Sequence, residues 1–161
     1  MIPSTEITVN GKRMSRLALG THLYGGENAS ICRSLLDGFF SGGGNVIDTG
    51  RVYHGGESEY VIGGWLRDNG MSGKAVVITK GGNARIPDDT HIDPPGSRVN
   101  AKCIEEDIKI SLDALGSENI DIYFVHKDNP ETPVGEIIDN SGKTLDARDV
   151  RYLLEARFGG K

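Results

Sequence analysis

At 161 residues the chain is long enough for one domain with a real core, and a net charge of −5 gives no basic field for nucleic acid or an anionic membrane. No apolar run approaches the roughly 18 residues of a spanning helix, and the N-terminal MIPSTEITVN has neither a basic nor an apolar leader region, so no secretory signal is expected. Cys32 and Cys103 sit in separate helical patterns and form no disulfide or metal framework, which predicts a reduced, cytoplasmic setting.

Taken in chain order, residues 6–17 place Asn10-Gly11 between alternating segments, a strong hairpin signal. Leu17 to Thr21 reads as a short buried strand. Ala29 to Phe40 sets Ile31, Leu35, Leu36 and Phe39 at helical spacing, and the glycine run from Gly42 supplies the stop. A second strand runs from Asn45 into Asp48. Glu57 to Arg67 reads as a helix with Val61, Ile62, Trp65 and Leu66 inward. Its Gly63-Gly64 pair lowers helix propensity and predicts a close packing partner.

A third strand runs from Ala75 into Lys80, followed by a loop to Ser97 that carries Pro87, Pro94 and Pro95. Val99 to Leu115 is helical, with Ile104, Ile108, Leu112 and Leu115 repeating and Gly116 ending it. Ile120 to Val125 forms the next strand and delivers His126. Thr132-Pro133 starts a fourth helix. From Asn140 the character changes, and residues 146–158 could form a short helix with no further strand after it.

Strand and helix thus alternate nearly four times, which predicts an α/β fold with parallel strands whose tips point the same way. In such sheets ligands bind at the carboxyl ends of the strands. An acid (Asp48), an ammonium (Lys80) and an imidazole (His126) stand at three successive tips, and Tyr53 lies on the loop beyond Asp48. A tyrosine is a poor acid near neutrality, with a reference pKa of about 10, unless a cation stabilises its phenolate. Lys80 is the natural cation, Asp48 its support, and His126 a donor to a substrate oxygen. Such a set can protonate a carbonyl as hydride arrives.

The segments IDTGRVYHGGESE (47–59), VVITKGG (76–82), IDIYFVHKDNP (120–130) and LALGT (17–21) resemble the signature segments of the aldo-keto reductases, in order and at suitable separations. The resemblance covers residues 5–139. It implies a TIM (β/α)8-barrel type fold, here an N-terminal hairpin plus roughly four β/α units, and reduction of an aldehyde or ketone with NADPH. By the same resemblance Tyr53 is the proton donor, Lys80 lowers its pKa, Asp48 supports Lys80 and His126 orients the carbonyl. Gly20, Thr21 and Asp48 align with positions at the nicotinamide end of the cofactor.

Family members run to about twice this length, and residues 140–161 match none of their later units. The expectation is a truncated family member or a gene fragment whose reading frame was lost near Asn140. A second reading, a non-catalytic half-barrel serving as an interaction or scaffold module, stays open. Four parallel strands cannot close a barrel, so self-association through the first and fourth strand edges is expected.

Other signals are weaker. Ser141 to Thr144 evokes a phosphate loop, but Ile137 stands where its first glycine belongs, and no G-x-G-x-x-G follows a strand. His22, His54, His91 and His126 show no metal-ligand spacing, so no metal is expected. His54 and Glu57 are expected to shape the loop around Tyr53.

Overall fold

The computed structural model describes residues 1–83 and 98–127 and the backbone of the strand 153–155. The fourth helix expected from Thr132 and most of the proline-bearing loop lie outside the described residues. The chain opens with a hairpin of β1 (Ser4–Val9) and β2 (Lys12–Ser15), antiparallel, turned at Asn10 (φ 51°) and Gly11 (φ 74°). Two positive φ values in sequence match the right-handed strand twist, and Asn-Gly is the pair that adopts them most readily.

Five parallel strands follow in one sheet, ordered β3-β4-β5-β6-β7: Ala18–Gly20, Val46–Asp48, Val76–Gly81, Ile122–Val125 and Leu153–Glu155. Helices α1 (Ala29–Ser41), α2 (Glu57–Asp68) and α3 (Ala101–Leu115) connect the first four, as strand–helix alternation requires. The fifth strand corrects the sequence reading: residues 153–155 pair with β6 instead of continuing a helix over 146–158. Local periodicity there suits either state, and pairing with an available edge decides it. Within the described residues the sheet edges are therefore β3 and β7.

The period of two along each strand splits the side chains into two cores. Ile47, Val77, Tyr123 and Val125 face the helices and join Leu36, Ile62, Trp65, Leu66, Ile104, Ile108 and Leu115 in the larger one. Val46, Val76 and Ile122 face the other way and meet Val9 and Met14 of the hairpin in a second, smaller core. The hairpin thus seals the N-terminal end of the sheet's inner face.

Helix α2 buries Val61, Ile62, Trp65 and Leu66 as the spacing predicts. Its Gly63 lets α3 approach: a Cβ there would sit 2.4 Å from the Ala114 carbonyl oxygen. Helix α1 forms where the spacing predicts, with its apolar positions unevenly covered. It buries Cys32 and Leu36, while Ile31 and Leu35 are 65% and 51% exposed. Two apolar stripes compete on this helix. The sheet and α2 take the one through Cys32 and Leu36, and the other faces outward because α1 has a helix neighbour on one side only among the described residues.

Candidate active site

Strand alternation sends Asp48, Ile78 and Lys80 to the inner face, where Gly20 pairs in register with Asp48 and Lys80 with Phe124. The Lys80 ammonium uses all three of its donors: to Asp48 Oδ1 at 2.5 Å, to the Thr49 carbonyl at 2.6 Å and to the Tyr53 hydroxyl at 2.9 Å. Its side chain is 16% exposed, against 36% for Asp48. The loop bearing Tyr53 is pinned to β5 by the Thr49 N–H on the Ile78 carbonyl and the Arg51 N–H on the Lys80 carbonyl. Gly50 leaves room for the phenol ring, since a Cβ there would stand 3.2 Å from it.

His126 completes the group. Its backbone N–H donates to the Gly81 carbonyl at 2.7 Å, and its ring stands edge-on to Tyr53 with centroids 5.7 Å apart. Burial, then the Lys80 and Lys127 ammoniums, lowers its pKa below the ordinary imidazole value, which keeps the ring neutral near neutral pH. Ala18, Asp48, Tyr53, Ile78, Lys80, Phe124 and His126 line one cavity of about 400 Å³. The four residues expected to converge are therefore in one place, around a common opening.

The residues expected at the cofactor divide. Gly20 is exposed, with open space where a side chain would stand, and Asp48 borders the cavity beside it. Thr21 is fully buried, and its hydroxyl donates to the Asp48 carbonyl at 3.0 Å. It braces the site from behind and presents no surface to a ligand.

That bracing is what the sequence reading missed. The buried Ser58 hydroxyl lies 2.9 Å from the Thr21 carbonyl and 3.0 Å from both the Thr21 and Thr49 hydroxyls. Glu59, 1% exposed, accepts from Thr79 at 2.5 Å, and burial raises its pKa. Asp107 of α3 accepts from the Gly82 N–H and from Arg98. Strand β5 is thus held from the helix side on both flanks of Lys80. Polar residues at inward helical positions were the available signal.

His22 packs edge-on against Tyr53 at 4.9 Å. Glu27, His54 and Glu57 bring one ligating atom each within 4.8 Å of one another, a grouping that spacing along the chain conceals.

Known proteins share this arrangement of segments. A profile described as "Aldo/keto reductase family" matches residues 16–152, continuing past residue 139. An aryl-alcohol dehydrogenase of Pestalotiopsis microspora is 30% identical, over 95% of this chain and 41% of its own. The aldo-keto reductase yakc [NADP(+)] of Schizosaccharomyces pombe is 27% identical, over 84% of this chain and 39% of its own. The holo form of an aldo-keto reductase from Bacillus halodurans superposes with a TM-score of 0.78 at 21% identity, covering 98% of this chain and 51% of that one. The chain thus spans about two fifths of the length of these curated relatives and half of that solved chain.

Proposed function

The chain belongs to the aldo/keto reductase family, and on that premise we propose that its site reduces an aldehyde or a ketone with NADPH, Tyr53 giving the proton. The observation that carries the reading is the saturated ammonium of Lys80, which directs one of its three bonds at the Tyr53 hydroxyl. When bound, NADPH supplies hydride to the carbonyl carbon. Gly20 and Asp48 suit the nicotinamide end: one leaves open space and the other offers a half-exposed carboxylate beside it.

The carbonyl oxygen accepts from the Tyr53 hydroxyl and from a neutral His126. As negative charge grows on that oxygen, Tyr53 transfers its proton. The phenolate left behind is stabilised by the ammonium 2.9 Å away. Asp48 holds the ammonium in place and balances its charge. Ala18, Ile78 and Phe124 keep the neighbourhood apolar, which strengthens each of these interactions. The two buried free cysteines agree with a reducing, cytoplasmic setting, and among the described residues no helix is long and apolar enough to cross a membrane.

Aromatic aldehydes are the first substrates to try, given the aryl-alcohol dehydrogenase among the relatives. The test follows NADPH oxidation by the full chain over a panel of aldehydes and ketones. Turnover that falls about 10²- to 10⁴-fold in Tyr53→Phe supports the proposal. Absence of any turnover, or turnover untouched by that substitution, overturns it. The second reading, a non-catalytic module, gains from absence of turnover. Since β7 covers the fourth strand, the edges open to association among the described residues are the first strand, β3, and β7 in place of the fourth.

A further inference from the structure

We propose that His54 is a positioning residue for Tyr53: its imidazole, seated in the notch left by Gly25 and paired with Glu27, ties the Tyr53 turn to the loop after β3. The inference rests on Tyr53 acting as proton donor. His54 follows Tyr53 directly and adopts φ 50°, ψ 50°, a left-handed conformation continued by Gly55 (φ 65°) and Gly56 (φ 95°). A non-glycine residue keeps that conformation where its surroundings over-determine it.

The surroundings here are specific. A Cβ built on Gly25 would stand 2.3 Å from His54 Cδ2 and 2.4 Å from Nε2, so the ring occupies the space a side chain would take. Its Nε2 lies 2.8 Å from Glu27 Oε1, and the Gly26 N–H donates to Glu57 Oε2 at 2.6 Å. Both links join the Tyr53 turn to one loop. That loop is itself fixed, since the Asn28 side chain accepts from the Gly25 N–H and donates to the Leu23 carbonyl, both at 2.9 Å. The contact with Glu27 is the weaker element: Glu27 is 63% exposed, and water competes for such contacts. The ring in its notch carries the tie.

The experiment is a mutant cycle on the full chain. Gly25→Ala and His54→Ala should each lower kcat for an aldehyde by about 10- to 100-fold with KM nearly unchanged, because a shift near 1 Å costs about that much in rate. The double variant should be no worse than the more severe single one, since the added methyl then displaces a ring that is gone. His54→Asn, which tolerates the left-handed region and keeps a donor, should recover part of the rate. Glu27→Gln should change it less than about 3-fold. A readout independent of turnover is the NMR signal of Tyr53 in protein carrying labelled tyrosine, identified by its loss in Tyr53→Phe. Both single substitutions should move it. Losses that add in the double variant, or an unmoved Tyr53 signal, overturn the tie. A wild-type chain that shows no turnover while the Tyr53 signal moves as stated overturns the reductase reading and leaves the tie standing.

Discussion

The two ends of the sheet's inner face are built from the same ingredients and put to opposite uses. At the N-terminal end Lys12 pairs with Asp121 at 2.6 Å, the side chains 14% and 3% exposed. Asp121 also accepts from Asn10 and from the Val77 N–H, and Lys12 also donates to the Ala75 carbonyl. Those bonds close on one another, and the pair fastens the hairpin to the sheet. At the C-terminal end Lys80 pairs with Asp48 at 2.5 Å, with the aspartate 36% exposed and the third bond spent on a phenol that faces a cavity. A buried pair with every partner internal resists change, whereas one with an open side has charge left to act on a ligand. Exposure of the acid, more than the pair itself, separates a pair that fastens two elements from one that borders a cavity.

The largest effect should come from Lys80→Met, which removes the cation beside Tyr53. Turnover should drop about 10³-fold or more, while the melting transition moves little because water reaches Asp48. Circular dichroism beside steady-state kinetics checks it. A variant that fails to fold breaks the comparison.

Lys12→Met makes the opposite statement. It leaves Asp121 buried without its cation and should cost about 3 kcal/mol of stability by urea unfolding. Turnover per folded molecule should stay within about 2-fold, as expected for a substitution outside the reacting geometry. A kinetic defect larger than the stability defect would show that the two ends are coupled.

A smaller effect belongs to His126. Its pKa lies lower in the folded chain than in the unfolded one, so the unfolded state binds more protons in between and stability falls as pH drops. Unfolding measured from about pH 7.5 down to about pH 5 should show this loss beginning near the ordinary imidazole value of about 6.5 and levelling below the folded value. The contribution should vanish in His126→Gln. A variant with the wild-type pH dependence would assign the loss to other groups.

The smallest effect should come from Arg33→Ala. Its pair with Asp68 spans 2.8 Å, yet the two side chains are 37% and 52% exposed. Urea unfolding should detect no more than about 0.5 kcal/mol. A larger value would mean that exposure does not rank these pairs.

Much of the frame was legible in the chain. The Asn10-Gly11 turn, the alternation of strand and helix, and the placement of Asp48, Lys80 and His126 at strand ends all follow from periods of two and 3.6 and from turn residues. Tyr53 was found by its distance from Asp48 and by family resemblance. Spacing alone does not say that Ile31 and Leu35 face outward, because α1 carries more apolar positions than its neighbours cover. The strand at residues 153–155 was misread because three residues have no period of their own.

Residue order by itself thus determined which groups reach the rim, since a strand's pleat and direction are local properties. It left open what those groups touch. Lys12 and Asp121 are 109 positions apart, Thr21 and Ser58 are 37, and Glu59 and Thr79 are 20. Only packing of α2, α3 and the hairpin against the sheet decided which charges close on each other and which one faces a cavity, because partner choice and access to water are set by neighbours distant in the chain.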